Sequence, residues 1–342
     1  MNAIDIGIIG AGNMGKNHIR LTSEMPEFRL VGIFDPGQNT QDLAEQYGIA
    51  RFQSVEKLMD RVQAVVIACP SSLHYETALL AASHGIHALV EKPLSLNEKD
   101  AQSIKEKFDE SGKLLAVGHV ERFNAVVTEA VKLIEDEEVV AINARRFSPV
   151  DLRINDSDVV QDLMIHDLDI LVNILNKSPV KKTQAFGRPV YNKEFIDYAT
   201  ALLEFENGVL ASVSASRTTE DKVRAIDIHT RSSYVRMDLL DKTLNITRRT
   251  SYKLDTGHNI AYKQENIIER VYIPLVEPLR AELANFAFCI NKNIKPSNDA
   301  ASAIYTIRIL DAIRGQIYMQ NSHNPERSLN NTDGKLFYTS QC

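Results

Sequence analysis

The segment that determines the fold is Ile4-Asp5-Ile6-Gly7-Ile8-Ile9-Gly10-Ala11-Gly12-Asn13-Met14-Gly15. The isoleucine-rich run predicts a buried strand, and the Gly-x-Gly-x-x-Gly pattern after it predicts a tight turn into a helix. In this pattern Gly10 permits the turn, Gly12 lets a pyrophosphate approach the backbone, and Gly15 lets the helix pack on the strand. The stretch therefore predicts a dinucleotide-binding unit, although glycines also occur in ordinary turns.

A second predicted strand, Arg29 to Asp35, ends in an acidic residue. Asp35 follows Gly15 by about 20 positions, as the dinucleotide fingerprint requires, and it is expected to accept hydrogen bonds from the adenosine ribose. An NADP enzyme needs a basic residue here for the 2′-phosphate, and residues 36–39 offer none. The predicted cofactor is therefore NAD. The alternative is that Asp35 only forms the turn before Pro36.

The composition limits the classes of protein to which the chain can belong. With 342 residues, 44% of them hydrophobic and 25% charged, it has the size of two ordinary globular domains. The net charge of −6 argues against a nucleic acid or an acidic membrane as the partner. No signal peptide is recognisable, no apolar run reaches the roughly 18 residues of a membrane span, and the cysteines lack paired or metal-type spacing. We expect a cytoplasmic protein without a metal site.

The pattern of predicted elements changes about a third of the way along the chain. Apolar runs first alternate with helical patterns, which predicts a parallel sheet covered on both faces. From Val139 predicted strands follow one another directly, the last from Thr243 to Arg249, and Asn207-Gly208 predicts a hairpin. The predicted fold is α/β, with a mainly antiparallel second sheet covered on one face by a helix at 161–176. The predicted parts are a Rossmann NAD-binding domain at 1–122, a substrate-binding and oligomerisation α/β domain at 123–330, and a surface tail at 331–342.

Ligands bind parallel sheets of this type at the carboxyl ends of the strands, so Asp35, Pro70, Lys92 and His119 are expected to border one crevice. Lys92, within Glu91-Lys92-Pro93, directly follows a buried strand. A partly desolvated lysine there would suit a site beside a nicotinamide. The alternative is a lysine that only marks the exit of the strand into solvent. Whether the peptide bond before Pro93 is cis is left open.

Asp162, His166 and Asp169 lie at positions i, i+4 and i+7 of the helix predicted at 161–176. This spacing places all three side chains on one helix face. An imidazole between carboxylates would be held in one tautomer and made more basic, as a general base for a hydroxyl proton requires. A metal site and a polar helix face are the alternatives, but no further ligand cluster completes a metal site.

Several arginines are candidate substrate contacts. Arg122 lies at the predicted domain switch, where it could contact substrate or form a boundary salt bridge. Arg145 and Arg146 are adjacent on a strand, so at most one of them can reach the site. The guanidinium fork matches the oxygens of a diphosphate. Which of Arg145, Arg146 and Arg153 faces the site is left open.

The whole set of motifs resembles the Gfo/Idh/MocA family, named for glucose–fructose oxidoreductase and inositol dehydrogenase. The motifs that carry the resemblance are Gly10-Ala11-Gly12-Asn13-Met14-Gly15, Cys69-Pro70-Ser71-Ser72-Leu73-His74, Glu91-Lys92-Pro93, and the Asp-x-x-x-His of Asp162 and His166. The resemblance implies that Lys92 and His166 flank the reacting carbinol and that Asp162 supports them. It also implies an open antiparallel sheet that forms the interface of a homodimer or homotetramer.

The motifs and the resemblance together define two sets of expected site residues. The expected cofactor contacts are Gly10, Gly12, Asn13, Met14, Gly15, Asp35, Cys69, Pro70, His74, Glu91, Lys92 and His119. The expected substrate contacts are Lys92, Arg122, Asn124, Arg146, Arg153, Asp162 and His166.

Within the family, the segments at 118–124, 146–149 and 162–169 most resemble UDP-N-acetylglucosamine 3-dehydrogenases, which oxidise the sugar C3 hydroxyl ahead of a transamination toward lipid A precursors. The resulting hypothesis is NAD-dependent oxidation of a secondary hydroxyl on a nucleotide sugar. The alternatives are a dehydrogenase of another sugar, a uronate or inositol, an NAD-assisted glycoside hydrolase, and a non-catalytic dinucleotide-sensing regulator.

Overall fold

The structure of the chain, a computed structural model, describes residues 3–37, 40–150, 157–191, 194–255 and 260–322. Two β-sheets with their covering helices organise these residues. The α/β fold predicted from the sequence is confirmed. The predicted substrate contact Arg153 and the predicted tail at 331–342 lie outside the described residues.

The first sheet contains six strands, all paired in parallel. Its strands are β1 (Ile4–Ile9), β2 (Phe28–Phe34), β3 (Ala50–Arg51), β4 (Ala64–Ile67), β5 (His87–Glu91) and β6 (Leu115–Gly118). Their order in the sheet is β3-β2-β1-β4-β5-β6. The order reverses between β1 and β4, and in parallel sheets the crevice at this switch point binds the ligand.

Helices connect these strands and cover both faces of the sheet. They are α1 (Asn13–Glu24), α2 (Thr40–Tyr47), α3 (Val55–Met59), α4 (His74–Ser83) and α5 (Glu98–Ser111). The sequence sets the ends of α5, because the Asn97 side chain accepts a hydrogen bond from the Asp100 N–H at 2.9 Å and Gly112 takes a left-handed φ of 66°. Between the helix layers, strand residues such as Ile6 and Val66 are fully buried.

The second sheet contains eight strands in the order β14-β13-β12-β11-β7-β10-β9-β8. They are β7 (Val139–Phe147), β8 (Val180–Arg188), β9 (Tyr198–Phe205), β10 (Leu210–Ser216), β11 (Val223–Thr230), β12 (Ser233–Asp238), β13 (Thr243–Asp255) and β14 (Ile260–Arg270). Only the β7–β10 pair is parallel among the pairs of this sheet that the structure describes. The predicted hairpin joins β9 to β10, with Gly208 at φ 85°.

The edge of this sheet differs from the prediction. The sequence indicated a strand ending near Arg249, whereas β13 continues to Asp255 and pairs along its length with the unpredicted β14. The run Lys263-Gln264-Glu265-Asn266 breaks the alternation that identifies a half-buried strand.

Four further helices complete the fold: α6 (Ala125–Ile134), α7 (Ile165–Ile174), α8 (Pro278–Lys292) and α9 (Ala300–Ser322). Helices α6 and α7 cover one face of the second sheet, and α8 packs on the first sheet through Leu279 and Leu283. Helix α9 joins the two cores, with Ile307 in the first and Ile313 in the second. This shared helix fixes the relative positions of the two sheets. None of the helices described is long and apolar enough to cross a bilayer.

Candidate active site

A cleft of about 910 Å³ lies where β1, β2, β4 and β5 end. It brings together many of the residues expected from the sequence: Gly10, Gly12, Asn13, Met14, Asp35, Cys69, Pro70, His74, Glu91, Lys92 and Asp162. The cleft is also lined by residues that the sequence reasoning did not select, namely Ala68, Ser71, Ser72, Pro93, Leu96, Ser157 and Gln161. Most of these flank a predicted residue directly, so proximity in sequence was the signal that could have found them.

The three glycines form a turn with room for a phosphate. Gly10 has a φ of 95°, and a Cβ there would lie 2.5 Å from the Ala68 carbonyl. A Cβ on Gly15 would lie 2.0 Å from the Gly10 oxygen, so the helix packs against the turn. Gly12, by contrast, has no atom within 4 Å of an added Cβ, and no side chain caps the N-terminus of α1. The turn therefore fits a pyrophosphate bound by helix N–H groups.

Asp35 is held beside this turn by the backbone. Its Oδ2 accepts a hydrogen bond from the Ala11 N–H at 2.6 Å, and its Oδ1 accepts one from the Gly37 N–H at 2.7 Å. An ionised carboxylate has about four acceptor positions, so two remain for ligand hydroxyls. This arrangement fits the ribose of NAD. Gln38 and Asn39, which the NAD prediction also used, lie outside the described residues.

Lys92 contacts the second domain across the cleft. Its Nζ donates to the Asp162 carbonyl oxygen at 3.0 Å and to Asp162 Oδ1 at 3.3 Å. The Lys92–Pro93 peptide bond is cis. Behind Lys92, the buried Glu91 lies 2.7 Å from His18 Nε2 on α1 and accepts the Lys92 N–H at 3.3 Å. Burial opposes ionisation of Glu91, but the hydrogen bond from His18 and the charge of Lys92 outweigh it and lower the Glu91 pKa.

His74 joins the two loops that border the cleft. Its Nδ1 lies 2.8 Å from the Pro93 carbonyl and its Nε2 lies 3.0 Å from the Cys69 carbonyl. Burial lowers the His74 pKa, so the ring is neutral near pH 7 and donates to one carbonyl. Both ring nitrogens face carbonyl oxygens of the loops, so the side chain connects the two loops and does not present a nitrogen to the cleft.

His166 differs from the prediction in its partners. Asp162 lies in a π-helical turn, Val160–Met164, and bonds to Lys92, while Asp169 bonds to Arg122. The wider π-helical turn departs from the i, i+4 spacing, and the nearby cations take up both carboxylates. The expected imidazole held between carboxylates is therefore wrong.

The predicted gain in basicity of His166 is wrong as well. Burial and the charges of Lys92 and Arg146 lower the His166 pKa well below its ordinary value. Its Nδ1 is buried and has no hydrogen-bond partner among the described residues. At neutral pH the imidazole is uncharged. It is therefore in the form that accepts a proton, as a weaker base than a free imidazole.

The predicted substrate contacts Arg122 and Asn124 have structural partners. Arg122 binds both oxygens of Asp169 at 2.6 Å and the Ser297 carbonyl at 2.7 Å, and it is buried. Asn124 caps α6 by accepting the Val126 N–H at 3.1 Å. These positions correct the expectation that the two side chains face the substrate. The partners lie 47 and 175 residues from Arg122 in sequence, so local pattern could not reveal them.

His119 and Arg146 also lie behind the cleft walls. His119 is 2% exposed and its Nδ1 is 3.5 Å from Asp169. Burial lowers its pKa to about 4. Arg146 is 3% exposed and binds Asp167 at 2.8 Å and Glu121 at 3.0 Å. Neither side chain has surface for a ligand, which corrects the expected contacts. Arg145 is half exposed and weakly paired.

Two arginines near the site were missed by the sequence reasoning. Arg217, which follows β10, lies with its Nη2 3.4 Å from Asp162 Oδ2. Arg224 on β11 is the register partner of Arg146, is partly exposed, and contributes its charge to the low pKa of His166. One follows a strand and the other lies on a strand, and both are distant in sequence from the catalytic candidates. Strand register, which the sequence alone does not supply, is what brings them near the site.

Among the described residues, no group of three or more His, Cys, Asp or Glu side chains is arranged to hold a metal ion. The polar groups of the site instead form ion pairs and backbone hydrogen bonds, as described above. The donor set that the cleft does offer comprises helix N–H groups, a carboxylate and a lysine. It suits a dinucleotide.

Comparison with known proteins agrees with this geometry. The oxidoreductase family model for an NAD-binding Rossmann fold, named GFO_IDH_MocA, matches residues 4–119, and the model for the GFO/IDH/MocA C-terminal domain matches residues 137–234. UDP-N-acetylglucosamine 3-dehydrogenase of Acidithiobacillus ferrooxidans is 32% identical over 247 residues, covering 71% of this chain and 76% of that protein. Its crystal structure superposes with a TM-score of 0.84 at 26% identity, over 93% of this chain and 99% of that one.

A second relative acts on a different alcohol. The scyllo-inositol 2-dehydrogenase (NAD(+)) of Bacillus subtilis is 29% identical over 230 residues, which cover 62% of this chain and 67% of that protein. Relatives named for a nucleotide sugar and for an inositol thus share the fold and the cofactor domain. On these similarities, the chain belongs to the Gfo/Idh/MocA family of oxidoreductases and carries its NAD-binding Rossmann domain.

Proposed function

We propose that the chain is an NAD-dependent dehydrogenase that oxidises a secondary hydroxyl of a sugar, with C3 of a UDP-N-acetylhexosamine as the favoured position. The observation that carries this proposal is the contact of Lys92 with Asp162 in the wall of the nucleotide cleft, together with the effect of the Lys92 charge on a neutral His166. A cation held between the two domains stands where a cofactor from one and a substrate from the other would meet. A protein that only senses a dinucleotide would not need this set of groups.

The roles of the side chains follow from their charge. His166 is uncharged and takes the hydroxyl proton. Lys92 donates a hydrogen bond to the hydroxyl oxygen and stabilises the negative charge that develops on it. Asp162 holds the Lys92 ammonium in position by accepting two contacts from it. NAD, when bound, supplies the hydride acceptor, so the alcohol becomes a ketone.

The finer substrate assignment is supported by the similarity to UDP-N-acetylglucosamine 3-dehydrogenase. A UDP-linked substrate needs a cation for its diphosphate. Because Arg122 and Arg146 are buried in ion pairs, we assign this contact to Arg224, whose guanidinium is partly exposed and 3.6 Å from Glu121. A 3-keto product would suit a transaminase that installs an amine, which is the chemistry of lipid A precursors. Such a pathway, like the scattered cysteines, fits the cytoplasm.

The test is a panel of UDP-sugars and free sugars, inositols and uronates with NAD or NADP, read as absorbance of the reduced cofactor at 340 nm. A ketone trap is included in a parallel series, because the equilibrium of alcohol oxidation is unfavourable. The proposal is supported if UDP-N-acetylglucosamine reduces NAD faster than every other compound of the panel. Reduction by inositol alone would replace the substrate class. Sugar release without net formation of NADH would indicate NAD-assisted hydrolysis. NAD binding without NADH formation and without sugar release would indicate a regulator.

We also propose that the chain forms a homodimer or homotetramer through the uncovered face of the second sheet. Phe186, Leu202 and Leu210 stand on that face and are each more than half exposed. An apolar patch of this kind on a sheet commonly marks a subunit contact. Leu202→Glu is expected to reduce the mass measured by light scattering, whereas Leu240→Glu in the β12–β13 turn is not. An unchanged mass for both would reject this face.

A further inference from the structure

Arg217 lies against the site, although neither the motifs nor the family resemblance pointed to it. It directly follows β10, it is 4% exposed, and its N–H donates to the Asp197 carbonyl at 2.9 Å. Its Nη1 donates to the Ser157 carbonyl at 2.9 Å and its Nη2 to Asp162 Oδ2 at 3.4 Å. The planar guanidinium reaches both acceptors at once, through a different nitrogen for each.

We propose that Arg217 is a positioning residue for the hydroxyl oxidation: it holds Asp162 so that the other oxygen of that carboxylate holds Lys92. This inference rests on the proposed function. Asp162 thereby stands between two cations, with Oδ1 3.3 Å from Lys92 Nζ and Oδ2 3.4 Å from Arg217 Nη2. The result is an ion chain from the end of β5 in the first sheet to the end of β10 in the second.

The form of the Arg217 contacts differs from that of a buried structural ion pair. Arg122 binds Asp169 through two hydrogen bonds of 2.6 Å, and both side chains are nearly inaccessible. Arg217 instead makes one longer contact with a carboxylate that is 26% exposed, and its Nε is buried without a partner among the described residues. An arginine that served only stability would be expected to satisfy its donors more fully. The arrangement favours a role in aiming Asp162.

Arg217 also fixes the backbone on which Asp162 stands. Ser157 and Asp162 lie on either side of the start of the π-helical turn Val160–Met164, and Arg217 binds both. Losing this clamp would free the turn to shift relative to Lys92. Since displacements of about 1 Å at a reacting group can cost roughly 10²-fold in rate, turnover is the quantity that should respond. Among the described residues, no hydrogen bond or ion pair joins Arg217 to the glycine turn, so NAD affinity should respond much less than turnover.

The experiment is a double-mutant cycle between Arg217→Met and Asp162→Asn, with kcat, KM for the sugar and the NAD dissociation constant measured for each variant. We expect Arg217→Met to lower kcat by about 10- to 100-fold, with KM and NAD affinity within about threefold. In the Asp162→Asn background the same change should cost less than about threefold, because it acts through Asp162. Arg217→Lys keeps the charge and should recover part of the rate.

The matched control is Arg314→Met. Arg314 binds Asp158, which caps the same helical turn, at 2.8 Å. Arg314→Met should lower the midpoint of thermal unfolding. Any fold-change in kcat that it causes should be the same with and without Asp162→Asn, so that the two effects multiply. Equal costs of Arg217→Met in both backgrounds, an unchanged kcat in folded protein, or a loss of NAD affinity would each overturn the role of Arg217.

Failure of the proposed function gives a different pattern. If no alcohol in the panel reduces NAD with the unaltered chain, the dehydrogenase assignment fails. The positioning role of Arg217 in hydroxyl oxidation then fails with it. The contact with Asp162 is judged separately by thermal unfolding of the same four proteins. Effects of Arg217→Met and Asp162→Asn that combine to less than their sum support the contact, and additive effects overturn it.

Discussion

The ammonium of Lys92 lies 3.0 Å from the Asp162 carbonyl oxygen and 3.3 Å from its Oδ1. Lys92 directly follows a strand of the nucleotide-binding sheet, and Asp162 lies in the π-helical turn that leads into α7 on the second sheet. Both side chains are partly accessible from the cleft. The pair therefore combines a contact between the two halves of the molecule with a cation presented to a ligand.

Replacing Lys92 by Met should remove that cation while keeping the length of the side chain. We predict that kcat falls by about 10²–10³-fold, the usual cost of losing one donor to a developing oxyanion. NAD affinity should change little, since the glycine turn and Asp35 are untouched. Steady-state kinetics and NAD titration check this. The control is Lys99→Met on the exposed surface of α5, and similar losses in the two variants would contradict the role of Lys92.

Gly12 and Gly315 provide a matched pair of glycines with free space around an added Cβ. Gly12→Ala should weaken NAD binding by about 1–3 kcal/mol, because the methyl group would occupy the approach of the pyrophosphate. Its free energy of unfolding should change by no more than about 1 kcal/mol. Gly315→Ala within α9 should leave NAD affinity unchanged and raise stability by about 0.5–1 kcal/mol. Titration calorimetry and urea denaturation separate the two effects, and normal NAD affinity in Gly12→Ala would reject the phosphate site.

The sequence was informative where local pattern determines structure. The alternation of apolar runs with helices gave the first sheet, and the ends of its strands gave most of the cleft. Side-chain pairings between residues far apart in the sequence could not be predicted from local pattern. Asp169 is 47 residues from Arg122, and Asp162 is 55 residues from Arg217. Helical spacing predicted Asp162 and His166 on one face, but the π-helical turn and the neighbouring lysine and arginines decided which groups the carboxylates bind.

The stability of the protein in acid should depend on His119. Burial and the charges of Arg122 and Lys92 lower its pKa from 6.5 to about 4, against the opposing effect of Asp169 and Glu91. The unfolded chain therefore binds a proton before the folded one does as the pH falls. The contribution of the buried neutral His119 to the free energy of unfolding is fully present above pH 6.5 and is lost between about pH 6.5 and 4. The His119→Gln variant should lose about 3 kcal/mol less of its free energy of unfolding over this pH range than the parent protein. Denaturant unfolding at pH 7 and pH 4.5 measures it, and equal pH dependence in both proteins would contradict it.

Glu282 should act in the opposite direction. It is fully buried on α8, and burial together with the charges of Glu91 and Asp169 raises its pKa well above the ordinary value of 4.5. Above pH 4.5 the unfolded chain releases a proton that the folded chain retains, so stability falls with rising pH. Glu282→Gln keeps the acceptor for Asn298, which lies 3.2 Å away. The variant should be more stable than the parent at pH 8, with the difference vanishing toward pH 4. A variant less stable at pH 8 would show that the carboxyl is ionised.

The central claim is that a sugar hydroxyl is oxidised over Lys92 and His166, and isotope transfer tests it most directly. UDP-N-acetylglucosamine labelled with deuterium at C3 is incubated with NAD, and the deuterium content of nicotinamide C4 is measured by mass spectrometry. We predict labelled cofactor with the unaltered protein, formed about 10²–10⁴-fold more slowly by His166→Ala and at the normal rate by His84→Ala. Absence of labelled cofactor with the unaltered protein, or an undiminished rate in His166→Ala, would contradict it.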